Sequence, residues 1–138
     1  MKQQEFLLEN YSSFNLRDIF ECGQCFRWNK EEDGSYTGVF ANNVINVSKT
    51  TKGIYFKGVC EKDIVNTVID YFDLDRDYNE IKRTLAKVDN NMKESIRYGE
   101  GIRILNQDLW ETIISFIISA NNLSLIHISE PTRPEPIS

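Results

Sequence analysis

Two cysteines with Cys-x-x-Cys spacing, Cys22 and Cys25, are the first residues of this chain whose type and spacing could do chemistry. The spacing is found in zinc sites and in thioredoxin-like redox pairs. A zinc site needs two more ligands, and Cys60 and His127 lie far away in the sequence. No strand–helix–strand pattern surrounds the pair, as a thioredoxin-like motif requires. We therefore expect no metal and no cofactor, and a metal or redox protein remains an alternative.

The single histidine, His127, could serve as a general base, but it lies in a C-terminal stretch of different composition. All three prolines lie in the same stretch, whereas residues 1–122 contain neither residue type. The run Leu123–Arg133 resembles the in-frame translation of a transposase adaptor used in sequencing libraries. We therefore expect residues 123–138 to be a non-native tail, and we exclude His127 from the catalytic candidates.

The composition is typical of a globular domain. Of the 138 residues, 41% are hydrophobic and 27% are charged, which excludes a disordered chain. No apolar run is long enough to span a bilayer, so we expect no membrane partner, and no secretion signal precedes the three cysteines. We therefore expect a cytoplasmic protein, or a nuclear one in a eukaryote. The net charge of −5 argues against nucleic-acid binding over the whole surface, but it leaves room for a local basic patch.

The first half of the chain alternates in the manner of an antiparallel sheet. Aromatic and β-branched runs are separated by turn signals at 32–35, at Asn42-Asn43 and at 51–53. The expected elements are a strand at 6–8, a short helix at 16–20, and strands at 26–29, 36–40, 44–47 and 54–56.

After Cys60 the hydrophobic period becomes helical. Three helices are expected at 64–72, at 78–88 and in a segment that ends at Gly99. A fourth is expected at 109–120, with Asp108 as its N-cap and Glu111 completing a capping box. Strands followed by helices indicate an α+β protein. We place a sheet domain at 1–60, with its closing helix running to about 72, and an incomplete helical domain at 73–122.

The expected 109–120 helix is apolar nearly all round, which is typical of a helix in the middle of a larger core. The native sequence is expected to stop directly after it. We therefore expect a truncated chain that exposes apolar surface and is poorly soluble or binds a hydrophobic dye.

Four segments, in the same order, resemble the N-terminal part of 8-oxoguanine DNA glycosylases. They are Gly23–Trp28 (Gly-Gln-Cys-Phe-Arg-Trp), 71–75, 101–108 and 116–122. The resemblance implies an antiparallel TBP-like sheet domain followed by the first helices of an all-α helix-hairpin-helix glycosylase domain. It also implies a base-excision-repair enzyme, monomeric and without a cofactor, that acts on double-stranded DNA containing 8-oxoguanine opposite cytosine.

The same resemblance implies that the Gly23 carbonyl reads the lesion. Guanine presents an acceptor at N7, whereas the 8-oxo base carries a hydrogen there, so a carbonyl accepts from the lesion and repels guanine. Without the resemblance, Gly23 would be an ordinary turn glycine before a strand. The resemblance assigns Phe26, with Gly23, to recognition of the lesion base by packing near the site. Otherwise Phe26, Arg27 and Trp28 are expected to be strand and packing residues.

The resemblance assigns Asn121 to the space that the flipped base leaves, against the estranged cytosine, with Asn122 beside it. An asparagine donates and accepts at once, which suits a base edge. The alternative is that either asparagine merely ends an apolar helix.

The lysine nucleophile and the aspartate of the family are expected to lie beyond this chain. Lys82, Lys87 and Lys93 have the spacing of ordinary solvated helix residues, so none is assigned a catalytic role. We therefore expect an inactive N-terminal fragment of a glycosylase and AP lyase. The alternative is a non-catalytic sheet domain that binds DNA or protein.

Overall fold

In the computed structural model, the described residues are 2–9 and 11–129, and of residues 122–129 only the backbone is described. The chain divides into two units, one ending at Asn106 and one beginning at Gln107, and each is described by itself.

The first unit is built on a five-stranded antiparallel sheet. Its strands pair in the order β1-β5-β4-β3-β2, so the first strand pairs with the last. The strands are β1 (Gln3–Glu9), β2 (Trp28–Lys30), β3 (Tyr36–Phe40), β4 (Asn43–Lys49) and β5 (Gly53–Val59), and helix α1 (Leu16–Phe20) connects β1 to β2. The expected α+β sheet domain is confirmed.

Alternation along the strands decides which sheet face is buried. Ile45 and Val47 of β4 are fully buried, whereas Val44, the residue directly before Ile45, is 47% exposed. Successive side chains of a strand point to opposite faces, so one face forms the core and the other faces solvent.

The turn between β3 and β4 lies one residue earlier than the sequence indicated. Phe40 pairs with Asn43, and the two loop residues are Ala41 and Asn42, with φ of 45° and 64°. Positive φ at both positions is typical of a type I′ hairpin turn, whose twist matches that of the strands. Asn43 therefore belongs to β4, and the expected Asn42-Asn43 turn is wrong by one position.

The strand expected at 26–29 is also displaced. β2 begins at Trp28, and Phe26 and Arg27 lie in the bend before it. The amide of Val39 donates to the Arg27 carbonyl at 3.2 Å, so pairing continues for one bond beyond the strand. Arg27 thus contributes backbone to the sheet edge, while Phe26 does not.

Three helices follow the sheet, and the sequence predicted each of them. They are α2 (Ile64–Tyr71), α3 (Tyr78–Ala86) and α4 (Asn90–Tyr98). Each begins after an aspartate, Asp63, Asp77 or Asp89, whose carboxylate accepts from an amide in the first turn. These caps satisfy backbone donors that a helix start otherwise leaves unpaired.

The core lies between the inward sheet face, α1 and α2. Phe72, at the end of α2, is fully buried and contacts the rings of Phe14, Phe20 and Phe56 at centroid separations of 5.4 to 6.0 Å. Aromatic contacts of this kind contribute stability beyond the apolar area that they bury. This cluster fixes α1, and therefore the segment that follows α1, against the sheet.

The second unit contains α5 (Leu109–Ser129). The Asp108 carboxylate accepts from the Glu111 amide at 2.8 Å, which confirms the expected N-cap. The helix does not end at Ala120 as expected, because the sequence offers no glycine or proline until Pro131. Among the described residues, no helix is long and apolar enough to cross a membrane.

Candidate functional site

The segment Glu21–Arg27 connects α1 to β2 and contains the candidate Gly23. Helix α1 is capped by Asn15, whose side chain accepts from the Asp18 amide at 3.1 Å, and it ends at Glu21. The Glu21 carboxylate accepts from the Tyr36 hydroxyl of β3. The N-terminal end of the segment is therefore bonded to a buried residue of the sheet.

Gly23 has a conformation that favours glycine. Its φ is +89°, in the left-handed region, and a Cβ built there would meet no atom within 4 Å. The requirement for glycine therefore comes from the backbone angle and not from crowding. Open space beside the backbone also lets another molecule approach the peptide closely.

Gln24 bridges this segment to residues 103–105. Its Oε1 accepts from the Leu105 amide at 3.1 Å, and its Nε2 donates to the carbonyls of Arg103 at 2.7 Å and Ile19 at 3.0 Å. No role for Gln24 was expected from the sequence. Its partners are 79 and 81 residues away in the segment 103–105, so local sequence gives no signal for the bridge.

Phe26 is exposed to solvent, whereas Trp28 is buried. Trp28 is buried against Phe20 at a ring separation of 4.3 Å, and its Nε1 donates to the Tyr71 hydroxyl at 3.0 Å. This confirms Trp28 as a packing residue of a strand. Phe26 is 59% exposed and precedes the strand, so it is not the strand residue that the sequence predicted. An exposed ring three residues from Gly23 is available to an incoming ligand.

The two cysteines of the segment are free thiols, Cys22 exposed and Cys25 half-buried. Burial, with a smaller contribution from Cys22, raises the pKa of Cys25 to about 11. Because the thiolate is the reactive form, this disfavours the redox alternative. Among residues 2–9 and 11–121, whose side chains the structure describes, no group of three or more metal-ligating side chains comes together.

The lead-in to α5, residues 99–106, runs beside α1. The Asn15 amide donates to the Gly101 carbonyl at 3.0 Å, and the Gly101 amide donates to the Asp18 carboxylate at 3.2 Å. Further along, the Asn106 amide donates to the Tyr71 carbonyl at 2.8 Å. The lead-in is thus bonded to both α1 and the end of α2.

Arg103, in this lead-in, is a buried cation that the sequence analysis missed. It is 1% exposed, and its guanidinium lies 4.0 Å from the Tyr78 ring centroid and 5.2 Å from that of Tyr11. It donates to four backbone carbonyls, those of Ser13, Phe72, Asp73 and Arg76. These acceptors and rings replace the water that a buried guanidinium gives up.

The two asparagine candidates lie in the second unit. Asn121 is exposed on α5, and Asn122 is helical in backbone, with its side chain outside the described residues. Neither asparagine ends the helix, because helical backbone continues to Ser129.

The three lysines considered above show no arrangement for nucleophilic chemistry. Lys82 donates to the Glu100 carbonyl at 2.8 Å, and Lys87 and Lys93 are exposed on the helix surface. An amine nucleophile needs burial or a neighbouring cation that lowers its pKa. None of the three lysines is therefore assigned a catalytic role.

One family model and one curated relative match most of this chain. Residues 6–113 match the family described as 8-oxoguanine DNA glycosylase, N-terminal domain. The chain is 26% identical over 117 residues to the N-glycosylase/DNA lyase OGG1 of Arabidopsis thaliana, covering 81% of this chain and 32% of that protein.

Solved structures are similar over most of the chain. The 8-oxoguanine glycosylase/lyase of Clostridium acetobutylicum in its apo form superposes with a TM-score of 0.78 at 44% identity. The same enzyme with double-stranded DNA containing cytosine opposite 8-oxoguanine superposes equally well. In each case the match covers 88% of this chain and 43% of the other, so this chain spans less than half of these relatives' length. On the family match and these identities, the chain belongs to the 8-oxoguanine DNA glycosylase family, whose N-terminal domain it carries.

Proposed function

We propose that this chain provides the lesion-reading part of a DNA glycosylase/AP lyase that excises 8-oxoguanine opposite cytosine, with the Gly23 carbonyl as the reader. The observation that carries the proposal is the Gly23 backbone, with φ of +89° and open space beside it, in a member of this family. The partner would be double-stranded DNA, bound by a monomer, in the cytoplasm of a bacterium or the nucleus of a eukaryote.

One carbonyl can separate the lesion from guanine. The N7–H of 8-oxoguanine donates to it, whereas the N7 lone pair of guanine faces it and leaves both acceptors unpaired. A buried acceptor without a donor costs about 1–3 kcal/mol, which corresponds to roughly fivefold to 150-fold in affinity. The base must be flipped out of the duplex to reach such a site.

Phe26 supports base binding in this proposal. It is an exposed aromatic ring in the same segment as Gly23. A ring in this position stacks on an extruded base, a contact that contributes about 1–3 kcal/mol per base. Asn121 and Asn122 are proposed to contact the estranged cytosine through their amide groups.

We also propose that this chain alone does not cleave DNA. Lys82, Lys87 and Lys93, to which no catalytic role is assigned, are exposed or bonded to a carbonyl in the described structure. Borohydride traps the Schiff base that a lysine nucleophile forms. The purified 138-residue chain, mixed with lesion duplex and borohydride, is expected to give no covalent adduct, and an adduct would refute the proposed inactivity.

The reading role of Gly23 is tested by comparing two glycines with the same backbone requirement. Gly34, in the β2–β3 turn, has φ of +87° and also has open space around it. Gly23→Ala and Gly34→Ala should therefore cost similar stability. Fluorescence anisotropy with duplexes containing 8-oxoguanine or guanine opposite cytosine should show that only Gly23→Ala loses the preference for the lesion. Equal preference in both variants would refute the role.

A second candidate function is a non-catalytic binding module. The solvent face of the sheet carries three exposed valines in register, with Val39 opposite Val44 and Val44 opposite Val59. Exposed apolar surface on a sheet is typical of an interaction site. Salt-dependent binding to DNA with no preference for the lesion would favour this candidate over the reader.

A further inference from the structure

The Gln24 side chain is held at both ends of its amide group. Oε1 accepts from the Leu105 amide at 3.1 Å, and Nε2 donates to the Arg103 carbonyl at 2.7 Å. The C=O of residue 103 and the N–H of residue 105 are thus both paired by one side-chain amide, which here takes the place of a neighbouring strand. The third bond, to the Ile19 carbonyl at 3.0 Å, adds the end of α1.

The surface that receives this amide is fixed. Arg103 is fully buried and donates to four carbonyls, and Leu105 is 5% exposed within the core. The next residue, Asn106, is bonded through both its amide and its side chain to the end of α2. Gln24 therefore connects the Glu21–Arg27 segment to a part of the unit that cannot shift without breaking buried hydrogen bonds.

The peptide plane that Gln24 controls is the one that carries the Gly23 carbonyl. That carbonyl and the Gln24 amide belong to the same planar unit, so only φ and ψ at Gly23 and Gln24 orient it. Glycine by itself gives the least resistance to rotation of this plane. An anchor on the next side chain is the direct way to restrict it.

We propose that Gln24 is a positioning residue for lesion recognition: its bidentate amide contact with residues 103–105 sets the orientation of the Gly23 carbonyl. This inference rests on the proposed reading role of Gly23. A carbonyl that is oriented before the base arrives pays no ordering cost at binding, and it cannot turn away from the N7 of guanine. The fixed orientation of the carbonyl therefore affects the discrimination between 8-oxoguanine and guanine more strongly than it affects the overall affinity for DNA.

The chain offers a matched control in Gln4. Its Nε2 donates to the Lys62 carbonyl at 2.8 Å, and its Oε1 accepts from the Ile64 amide at 3.0 Å, which ties β1 to the start of α2. Gln4 and Gln24 are both half-buried. Gln24→Met and Gln4→Met each remove a bidentate amide at nearly constant side-chain length.

The first measurement is the ¹³C carbonyl resonance of Gly23, with hydrogen exchange of the Leu105 amide, in the 138-residue chain. Gln24→Met is expected to shift or broaden the Gly23 carbonyl signal and to speed exchange at Leu105. Gln4→Met is expected to leave both unchanged and to affect Ile64 instead. If Gln24→Met does not fold, Gln24→Glu, which keeps the length and the acceptor for Leu105, takes its place.

The second measurement is the ratio of affinities for the 8-oxoguanine and guanine duplexes. Gln24→Met is expected to reduce this ratio by about tenfold, the value of one lost carbonyl contact, and to change binding of the guanine duplex less than about twofold. A residue that only supported folding would lower both affinities together. Gln4→Met is expected to keep the ratio.

The outcomes separate the two proposals. A Gly23 signal that does not respond to Gln24→Met, or a ratio that falls equally in both variants, overturns the positioning role. If the wild-type chain shows no preference for the lesion although the Gly23 signal responds as expected, the reading role of Gly23 fails, and the contact by which Gln24 orients the segment is still supported.

Discussion

The sheet with α2 and the helix pair α3–α4 bury their apolar residues very differently, although both belong to the first unit. Val68 and Phe72 of the α2 region are fully buried. Helices α3 and α4 bury no residue, and Ile81, Leu85 and Val88 are 38%, 38% and 64% exposed. Helices α2 and α3 both have clear helical periodicity in the sequence. Periodicity therefore shows which face of a helix is apolar, but not whether that face is covered.

The difference also locates the rigid support of the candidate site. The Glu21–Arg27 segment follows α1, which packs in the sheet core, and Gln24 reaches a lead-in that is bonded to the end of α2. The helix pair α3–α4 contributes one ring, Tyr78, beside Arg103. We therefore expect substitutions in the packed region to affect both stability and the site, and substitutions on α3–α4 to affect neither strongly.

The largest expected effect is that of Phe72→Ala. Phe72 is fully buried among four other aromatic rings and the Trp28 indole, so truncation leaves a cavity. The expected loss in the free energy of unfolding, from urea denaturation, is about 4 kcal/mol. The control Leu85→Ala, on α3, should cost less than about 1 kcal/mol. Similar losses would show that α3 is packed as tightly as the core.

Arg103→Met is expected to cost about 3 kcal/mol, because four carbonyls, in one buried and three partly buried hydrogen bonds, lose their donor. The control Arg76→Met removes an arginine whose side chain is 64% exposed and whose Nε lies 3.0 Å from the Asp73 carboxylate. That loss should stay below about 1 kcal/mol, since exposed ion pairs contribute little. The check is urea denaturation of both variants, and an Arg76→Met loss as large as that of Arg103→Met would contradict the comparison.

Alkaline pH should weaken the packed region through Tyr36. Burial and the hydrogen bond to Glu21 raise the pKa of Tyr36 from 10 to about 12. A raised pKa stabilises the folded chain below the unfolded pKa, and that stability is lost as pH rises from about 10 to 12. Tyr36→Phe should therefore flatten the fall in unfolding free energy over this window.

The matched control for Tyr36 is Tyr55. Its pKa is also raised, by a hydrogen bond to Glu5, but this tyrosine lies on the solvent face of the sheet. Tyr55→Phe should change the alkaline slope less than Tyr36→Phe does. The Cys25 thiol, whose pKa is about 11, titrates in the same pH window, but it is present in both variants and does not affect their comparison. A steeper effect of Tyr55→Phe would mean that the hydrogen bond, rather than burial, controls the titration.

The sequence predicted the elements because their signals are local. Alternation indicated the strands, and the helical period of the apolar residues indicated α2, α3 and α4, whereas the aspartates that cap these helices were identified only in the structure. The errors lie at the ends of elements, where several turns fit the same residues. The β3–β4 turn lies one position earlier than expected, because Phe40 pairs with Asn43. Strand β2 begins two residues later than expected, at Trp28, whose ring packs in the core against Phe20.

The candidate site was predictable only in part. The glycine of the Gly23 turn could be expected from residue type and family resemblance, and its positive φ agrees with that. The contacts of Gln24 and Arg103 could not be expected, because their partners lie up to 90 residues away and are backbone groups that carry no residue signal. Such contacts exist only once the chain has folded.

The smallest expected effect is at the β3–β4 turn, in the packed region. Ala41 has φ of 45°, which costs an alanine about 1 kcal/mol relative to a residue that tolerates the left-handed region. Asparagine tolerates it and is preferred in type I′ turns. Ala41→Asn should therefore raise the free energy of unfolding by about 0.5 kcal/mol. The same exchange at Ala86, in the last turn of α3, should lower it slightly, because asparagine is a poorer helix former than alanine. If Ala41→Asn is neutral or destabilising in urea denaturation, the turn is not of type I′, and the register of β3 and β4 that positions the inward face of the sheet would have to be revised.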